Sequence, residues 1–402
     1  MSKMKCLVLG YGLQGKATVF DLLKDDTFSK ITVVDSRASS QSEIDSLNDT
    51  RVSGMVLDIA DEASLLEVMK EHDVVISLLP RNLTFGLGKM AVEANSHYVG
   101  VSYFEDPEET DQDKIAARRA ELKELDRISK EKGLVLLTEW GMDPGLDLLL
   151  CAQAVRELDE VENLTSYGAG FPELKDANNP LQYKFTYNIL GTIRSYFRPA
   201  KVIRNGELVT IPQDELFSEK NIHELNIDEL GGTLQAFPNG DSGKYAKKLN
   251  IDGTIKNMGR YVCRWKGHCE FWYIMAKCGF LSREPINVNG ASVIPSEFVA
   301  SLLGSQNKFH YQENEKDVAY VAVHASGKKD GKQATAGYRI IDKRDANGFT
   351  AMQRTVGMVA SIGAQMIAKG IVKEKGLITA IQLPFEETVE ELAKRNIVVT
   401  KY

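Results

Sequence analysis

Apolar residues in the first hundred positions fall in short unbroken runs, "KCLVLG", "KITVVD", "DVVISLLP" and "HYVGVSY". Between them lie "GKATVFDLLKDD", "ASLLEVMKEH" and "GLGKMAVEANS", which have helical periodicity. Strands without polar alternation are covered by helices on both faces, the parallel-sheet case. The alternation predicts an α/β, doubly wound parallel sheet of the dinucleotide-binding (Rossmann) type over residues 1–143. "KIAARRAELKELDRISKEKG" reads as an exposed helix and "LVLLTEWG" as one more buried strand. From about residue 150 the texture changes. "DPGLDLLLCAQAVREL" starts a helix with Pro just inside it. "NLTSYGAG", "LQYKFTYNI", "AKVIRNGELVTI", "RYVCRWKG", "DVAYVAVHASG" and "ATAGYRIID" have strand composition, and "SGKKDGKQ" between the last two is a hairpin turn. These predict a second α+β domain over 144–350, built on a mostly antiparallel sheet. "GFTAMQRTVGMVASIGAQMIAKG" reads as one long buried helix and "FEETVEELAKRN" as a final one, so 351–402 is expected to pack back on the first domain.

Length and charge narrow the classes. A chain of 402 residues exceeds one ordinary core. No run approaches the length of a membrane helix, and no signal peptide stands at the start. The formal net charge is −7 with Lys and Arg dispersed, which excludes a nucleic-acid footprint. Five cysteines without a C-x-x-C pair argue against a disulfide framework or structural zinc. His72, His97, His223, His310 and His324 show no metal-ligand spacing. A cytoplasmic homodimer acting on a small molecule, without metal, is the expectation.

The candidate chemistry sits where the first-domain strands end. Gly10-x-Gly12-x-x-Gly15 directly follows a strand and opens a helix, the context that gives the pattern meaning. Gly10 allows the tight turn, Gly12 the approach of a pyrophosphate, and Gly15 close helix–strand packing. Tyr11, Leu13 and Gln14 share that loop. Asp35 ends the next strand, where an acid can accept from ribose hydroxyls. It favours NAD by repelling a 2′-phosphate, while Arg37, beyond Ser36, keeps NADP open. Asp58 completes the nucleotide side. Gly86-x-Gly88 lacks a preceding strand and a third glycine, so it is no such site. Leu78, Leu79 and Pro80 end a further strand along the cofactor crevice. Ser102 and Tyr103 end the next, and Met142, Asp143, Pro144 and Gly145 the one after. Parallel strands bring all of these to one rim. Asp143 would also suit a helix N-cap.

At these residues the chain resembles the saccharopine dehydrogenase family, through "DVVISLLP", "VSY", "MDPGLD", "NNPLQYKFTY", "FPNGDSGKY", Arg264 to Gly267 and "GFTAMQRTVG". The resemblance implies hydride transfer between a nicotinamide and a C–N bond, with saccharopine (glutamate joined to aminoadipate semialdehyde) as substrate. It implies that Ser102, Tyr103, Asp143, Pro144 and Gly145 bind substrate and nicotinamide. Arg264 is implied to bind a substrate carboxylate, a task suited to a planar guanidinium. Asp143 and Tyr103 are the implied catalytic pair, the acid stabilising an iminium and the phenol holding its nitrogen. The chain departs from the family pattern at Gly240, Gly168 and Val262, with Arg194 or Lys184 as stand-ins for a lost arginine. His268 is a candidate proton relay or a hydrogen-bonded core residue. The second domain is also similar to lysine 6-dehydrogenases, and carboxynorspermidine dehydrogenases share the architecture. A non-catalytic nucleotide sensor is the reading from another class.

Overall fold

The first strand, β1 (Met4–Leu9), buries its last four side chains completely. A computed structural model of the chain describes residues 3–109, 111–186 and 188–402. The chain continues through α1 (Leu13–Leu22), β2 (Phe28–Asp35), α2 (Ala38–Asp45), β3 (Val52–Val56), α3 (Glu62–Lys70), β4 (Val74–Ser77) and α4 (Arg81–Glu93). Then come β5 (His97–Gly100), α5 (Gln112–Glu131), β6 (Val135–Leu137) and α6 (Leu146–Arg156). Among the described residues the sheet has seven strands, ordered Gly376–Ile378, β6, β5, β4, β1, β2, β3, with every printed pair parallel. The unbroken apolar runs become β1, β2, β4 and β5, as expected of strands sandwiched between helices.

Two compact units divide the chain. The first is Met1–Ala152 with Met352–Val399, and the second is Gln153–Ala351 with Thr400–Tyr402. The second unit holds a mixed sheet whose central strand, β7 (Glu160–Pro172), is thirteen residues long. It continues through α7 (Ile189–Ser195), the hairpin β8 (Ala200–Arg204) and β9 (Glu207–Ile211), β10 (His223–Ile227), β11 (Gly232–Pro238), α8 (Ser242–Lys248), β12 (Asn257–Trp265) and α9 (His268–Lys277). A small hairpin, β13 (Ile286–Val288) and β14 (Ala291–Val293), precedes α10 (Pro295–Gly304), β15 (Asp317–Lys329) and β16 (Lys332–Lys343). The strands run β10, β11, β12, β7, β15, β16. Their pairings are antiparallel except β12 with β7, which is parallel.

Two readings are corrected here. Residues 181–186 form no strand, Phe185 making an isolated bridge to His310; Tyr187 lies outside the described residues, and α7 follows, capped by Asn188 accepting from Gly191 N at 2.8 Å. Pro144 is not inside α6: it and Asp143 both precede that helix, which starts at Leu146. The long helix read over 348–370 is present from 351 to 368 and contains a π stretch, Gln353–Met358, before α11 (Val359–Ala368).

Within the first unit the returning segment is fixed to α1. Asp21, wholly buried on α1, receives Arg395 Nε at 2.9 Å and Nη2 at 3.0 Å, and Arg395 Nη1 meets Glu391 at 2.5 Å. Gly357 lies so close to α1 that a Cβ there would stand 2.5 Å from the Gln14 carbonyl.

Candidate functional site

The chain leaves β1 through Gly10, whose φ of +96° only glycine adopts without strain. A Cβ on Gly15 would stand 2.1 Å from the Gly10 carbonyl oxygen, so the loop and the first turn of α1 can close only without a side chain. Gly12 caps α1 with no side-chain hydrogen bond, and the helix has no acid in its first turn. Its first N–H groups and the positive helix end therefore remain for an anion. Leu13 is half exposed, its carbonyl accepting from Gln353 Nε2 at 2.9 Å, and the Gln14 Oε1 atom is buried without a hydrogen bond. These features fit a dinucleotide pyrophosphate.

Asp35 closes the loop from β2 by accepting from the Tyr11 amide at 2.7 Å. Its carboxylate is not bare. Arg37 Nε reaches Oδ1 at 2.9 Å, Nη2 reaches Oδ2 at 3.2 Å, and Nη2 also donates to the Tyr11 carbonyl at 2.8 Å. Burial alone would raise the Asp35 pKa, but Arg37, the Tyr11 and Arg37 amides and Ser40 outweigh it and hold it at about 2. Arg37 Nη1 makes no hydrogen bond among the described residues, and Ser36 beside it is exposed. Asp58 is exposed and accepts from Ala60 N at 3.0 Å.

The other rim segments follow β4, β5 and β6. The Leu78 amide donates to the Leu9 carbonyl at 3.0 Å, and Leu79 Cδ2 lies 3.1 Å from where a Gly10 Cβ would be. Pro80 caps α4. Ser102 and Tyr103 are half buried; the Ser102 carbonyl accepts from Glu139 N at 3.2 Å and that of Tyr103 from Thr84 Oγ1 at 2.8 Å. Phe104 anchors them by packing on Tyr98, with ring centroids 5.5 Å apart, and by filling the space over Gly88. The second glycine pair thus makes room for an aromatic ring within α4. After β6, Gly141 N donates to the Pro144 carbonyl at 3.0 Å, and the Asp143–Pro144 peptide is cis. Gly145, at φ +144°, packs backbone to backbone: a Cβ would stand 2.0 Å from the Gly141 oxygen. Met142 is buried and Asp143 half buried at the top of this turn. Two acids that were not singled out support it. Asp147, fully buried, accepts from Gly145 N at 2.9 Å, and Glu139 is buried at φ +55°.

In the second unit β12 carries Arg264, 6% exposed. Its guanidinium lies 4.5 Å from the Tyr183 ring centre; Nε donates to Tyr196 Oη at 3.2 Å and Nη1 to the Cys263 carbonyl at 2.8 Å. Among the described residues it has no carboxylate partner, and Nη2 makes no hydrogen bond. His268 begins α9, where Gln235 Oε1 accepts from Gly267 N at 3.1 Å. Because His268 Nδ1 faces the Leu181 carbonyl at 2.9 Å, it must be the protonated nitrogen. Nε2 then accepts from Tyr196 Oη at 3.1 Å. Burial, then the Arg264 charge, lowers the His268 pKa to about 3. An imidazole held neutral in this way orients Tyr196 and Arg264; it does not relay a proton near neutral pH. Lys184 is 2% exposed and paired with Glu315, and Arg194 pairs with Glu297 at 3.0 Å, so neither proposed stand-in is uncommitted.

Residues 141–398 match the family profile described as the saccharopine dehydrogenase C-terminal domain, and 6–137 that of the saccharopine dehydrogenase NADP binding domain. The chain belongs to the saccharopine dehydrogenase family. Relatives include saccharopine dehydrogenase [NADP(+), L-glutamate-forming] of Schizosaccharomyces pombe, 24% identical over 97% of both chains. The alpha-aminoadipic semialdehyde synthases of Arabidopsis thaliana and Mus musculus are each 25% identical, over 82% and 94% of this chain. The chain spans only 37% and 45% of their length. Among solved structures, apo saccharopine dehydrogenase (L-Glu forming) from Saccharomyces cerevisiae aligns over 99% of both chains with a TM-score of 0.82 at 21% identity. Homospermidine synthase of Legionella pneumophila in complex with NAD gives 0.66 at 12%, covering 100% of this chain and 91% of that one. These two likenesses fix the fold of the family member described here.

The family's first domain is an NADP-binding one, and the preference for NAD read from Asp35 finds no support beside an acid already neutralised by Arg37. Among the described residues no helix is long and apolar enough to cross a membrane.

Proposed function

We propose that this saccharopine dehydrogenase family member is an NADP-dependent oxidoreductase acting on the C–N bond of a carboxylated secondary amine of the saccharopine class. The observation that carries this reading is Arg264, a buried guanidinium stacked on an aromatic face with no acid beside it among the described residues. A buried charge without a counter-ion is costly, so such a residue is matched to an anion that arrives with the ligand.

When bound, the nicotinamide supplies the hydride exchanged with the carbon of the C–N bond. Gly10, Gly12 and Gly15 receive the pyrophosphate at the N-terminus of α1, and Tyr11, Leu13 and Gln14 shape that loop. Ser36 and Arg37 take the 2′-phosphate through the open Nη1 edge, with Asp35 and Asp58 at the ribose side. Leu78, Leu79, Pro80, Met142, Pro144 and Gly145 line the remaining length. Asp143 stabilises the positive nitrogen of the iminium, and Tyr103 holds that nitrogen by hydrogen bonding, with Ser102 beside it. Arg264 takes a substrate carboxylate. Its orientation is set by Tyr196 and, through it, by His268.

The test is nicotinamide absorbance with saccharopine and NADP, with lysine as the competing substrate and NAD as the competing cofactor. Turnover of saccharopine with NADP is expected. Turnover of lysine alone would replace the substrate, and cofactor binding without turnover of either would end the enzymatic reading.

A further inference from the structure

Helix α10 and the hairpin before it depart from the usual division of apolar inside and polar outside. On α10, Val299 and Leu303 are buried, while Phe298 and Leu302, one turn apart, are exposed. A helix that is apolar on both faces is one that is covered on both. In the hairpin, Ile286 pairs with Val293 and Val288 with Ala291. All four therefore share one face, and Asn287 and Ser292 share the other. The Asn289–Gly290 turn has positive φ at both residues, +51° and +87°, the form that joins two strands tightly. Yet both strands are largely exposed, and among the described residues they pair with no further strand. Two strands alone are marginal in water, so an apolar face of this kind calls for a cover. Ser296 N donates to the Ser282 carbonyl at 3.1 Å and joins the foot of the hairpin to the loop after α9. That loop carries Phe280, whose amide donates back to the Met275 carbonyl at 3.0 Å, next to Ile274.

Ile274, Phe280, Ile286, Val288, Phe298 and Leu302 are 44–63% exposed and surround this junction. They are six of the fourteen large hydrophobic side chains exposed among the described residues, so apolar surface is gathered here, not scattered. Each offers about 100 Å², roughly 600 Å² together. A standard interface covers about 800 Å² per partner, of which about 65% is apolar between identical subunits, close to the same figure. Charge narrows the occupant further. From Pro285 to Gly304 the sole charged residue is Glu297, which Arg194 already meets at 3.0 Å. Twofold symmetry sets a patch against its own image, and a patch without net charge meets that image with no like-charge repulsion. We propose that the hairpin β13–β14 and the outer face of α10 form the interface with a second copy of this chain. The homodimer expected from the sequence thereby acquires a surface, and the assignment does not depend on the catalytic reading.

Sedimentation velocity of the full chain at micromolar concentration is the test, and the wild type is expected to run as a dimer. Phe298→Glu and Ile286→Glu each set a charge and its symmetry mate into the apolar contact. Each is expected to weaken dimerisation at least about 100-fold, leaving monomers. Leu208→Glu alters a side chain just as exposed elsewhere in the same unit and is expected to leave the dimer intact. Circular dichroism, with a denaturation midpoint equal to that of the diluted wild type, shows that a variant is folded. If one patch variant does not fold, the other carries the test. A monomeric wild type overturns the proposal. So does a dimer that survives both patch substitutions, or one that is lost equally in Leu208→Glu.

Discussion

Arg37→Ala isolates the part of the first domain that reads the adenosine end of the cofactor. It removes the 2.9 and 3.2 Å contacts to Asp35 and the 2.8 Å contact to the Tyr11 carbonyl. Asp35 keeps the amide of Tyr11 at 2.7 Å and the amide of residue 37 at 2.9 Å, so it stays ionised and the loop stays closed. Two effects then act against NADPH together. A guanidinium–phosphate hydrogen bond is lost, worth about 1.5–3 kcal/mol. A carboxylate 11% exposed also loses its cover and faces the phosphate as a like charge. The Arg37 side chain is 50% exposed, so solvent screening holds the first effect toward its lower end. The sum is a weakening of NADPH of about 10- to 100-fold, with NADH unchanged or tightened. Fluorescence titration of reduced cofactor measures both without needing a substrate. Equal losses for the two cofactors, or none for either, would refute the assignment of Arg37 to the 2′-phosphate.

Four further outcomes are expected. Gly145→Ala forces a Cβ within 2.0 Å of the Gly141 oxygen and lowers stability by about 1–3 kcal/mol from overpacking alone, read as a drop in denaturation midpoint with loss of turnover. Asp143→Asn abolishes turnover and its pH dependence while NADPH still binds, and full turnover would remove Asp143 from the chemistry. His268 has a folded pKa of about 3, below its ordinary 6.5, so the native state binds fewer protons than the unfolded one between those values. Its contribution is complete above 6.5 and is lost on acidification by about 1.4 kcal/mol per pH unit; His268→Gln should flatten that part of the stability–pH curve. Arg395→Leu strands the fully buried Asp21 carboxylate and should cost about 3–5 kcal/mol, measured by chemical denaturation.

Where the sequence spoke through periodicity, it was legible. Strands buried on both faces print as apolar runs, and the Gly10–Gly15 spacing encodes a backbone approach that no other residue permits. The misread elements share a different cause. "LQYKFTYNI" alternates like a strand because Leu181, Tyr183 and Phe185 are apolar and buried, but Lys184 between them is buried too, paired with Glu315, so the period of two in the sequence is not a period of two in burial. β3 escaped notice because its five residues are largely exposed at the sheet edge. The long helix over 351–368 was legible as well; what periodicity does not print is its π stretch at 353–358, where Gly357 meets Gln14 from more than three hundred positions away. The tautomer of His268 is set by a carbonyl eighty-seven positions away, and its neutral state by burial and the Arg264 charge.

The seventh strand of the nucleotide-binding sheet, Gly376–Ile378, pairs with β6. On the ribosome, β6 therefore emerges long before its neighbour is made, and a whole second domain is synthesised in the interval. During that time a buried strand presents an open edge, the kind of surface that recruits stray chains. Nascent protein truncated before residue 376 should accordingly depend on chaperones, and the nucleotide pocket should mature only as the closing segment docks.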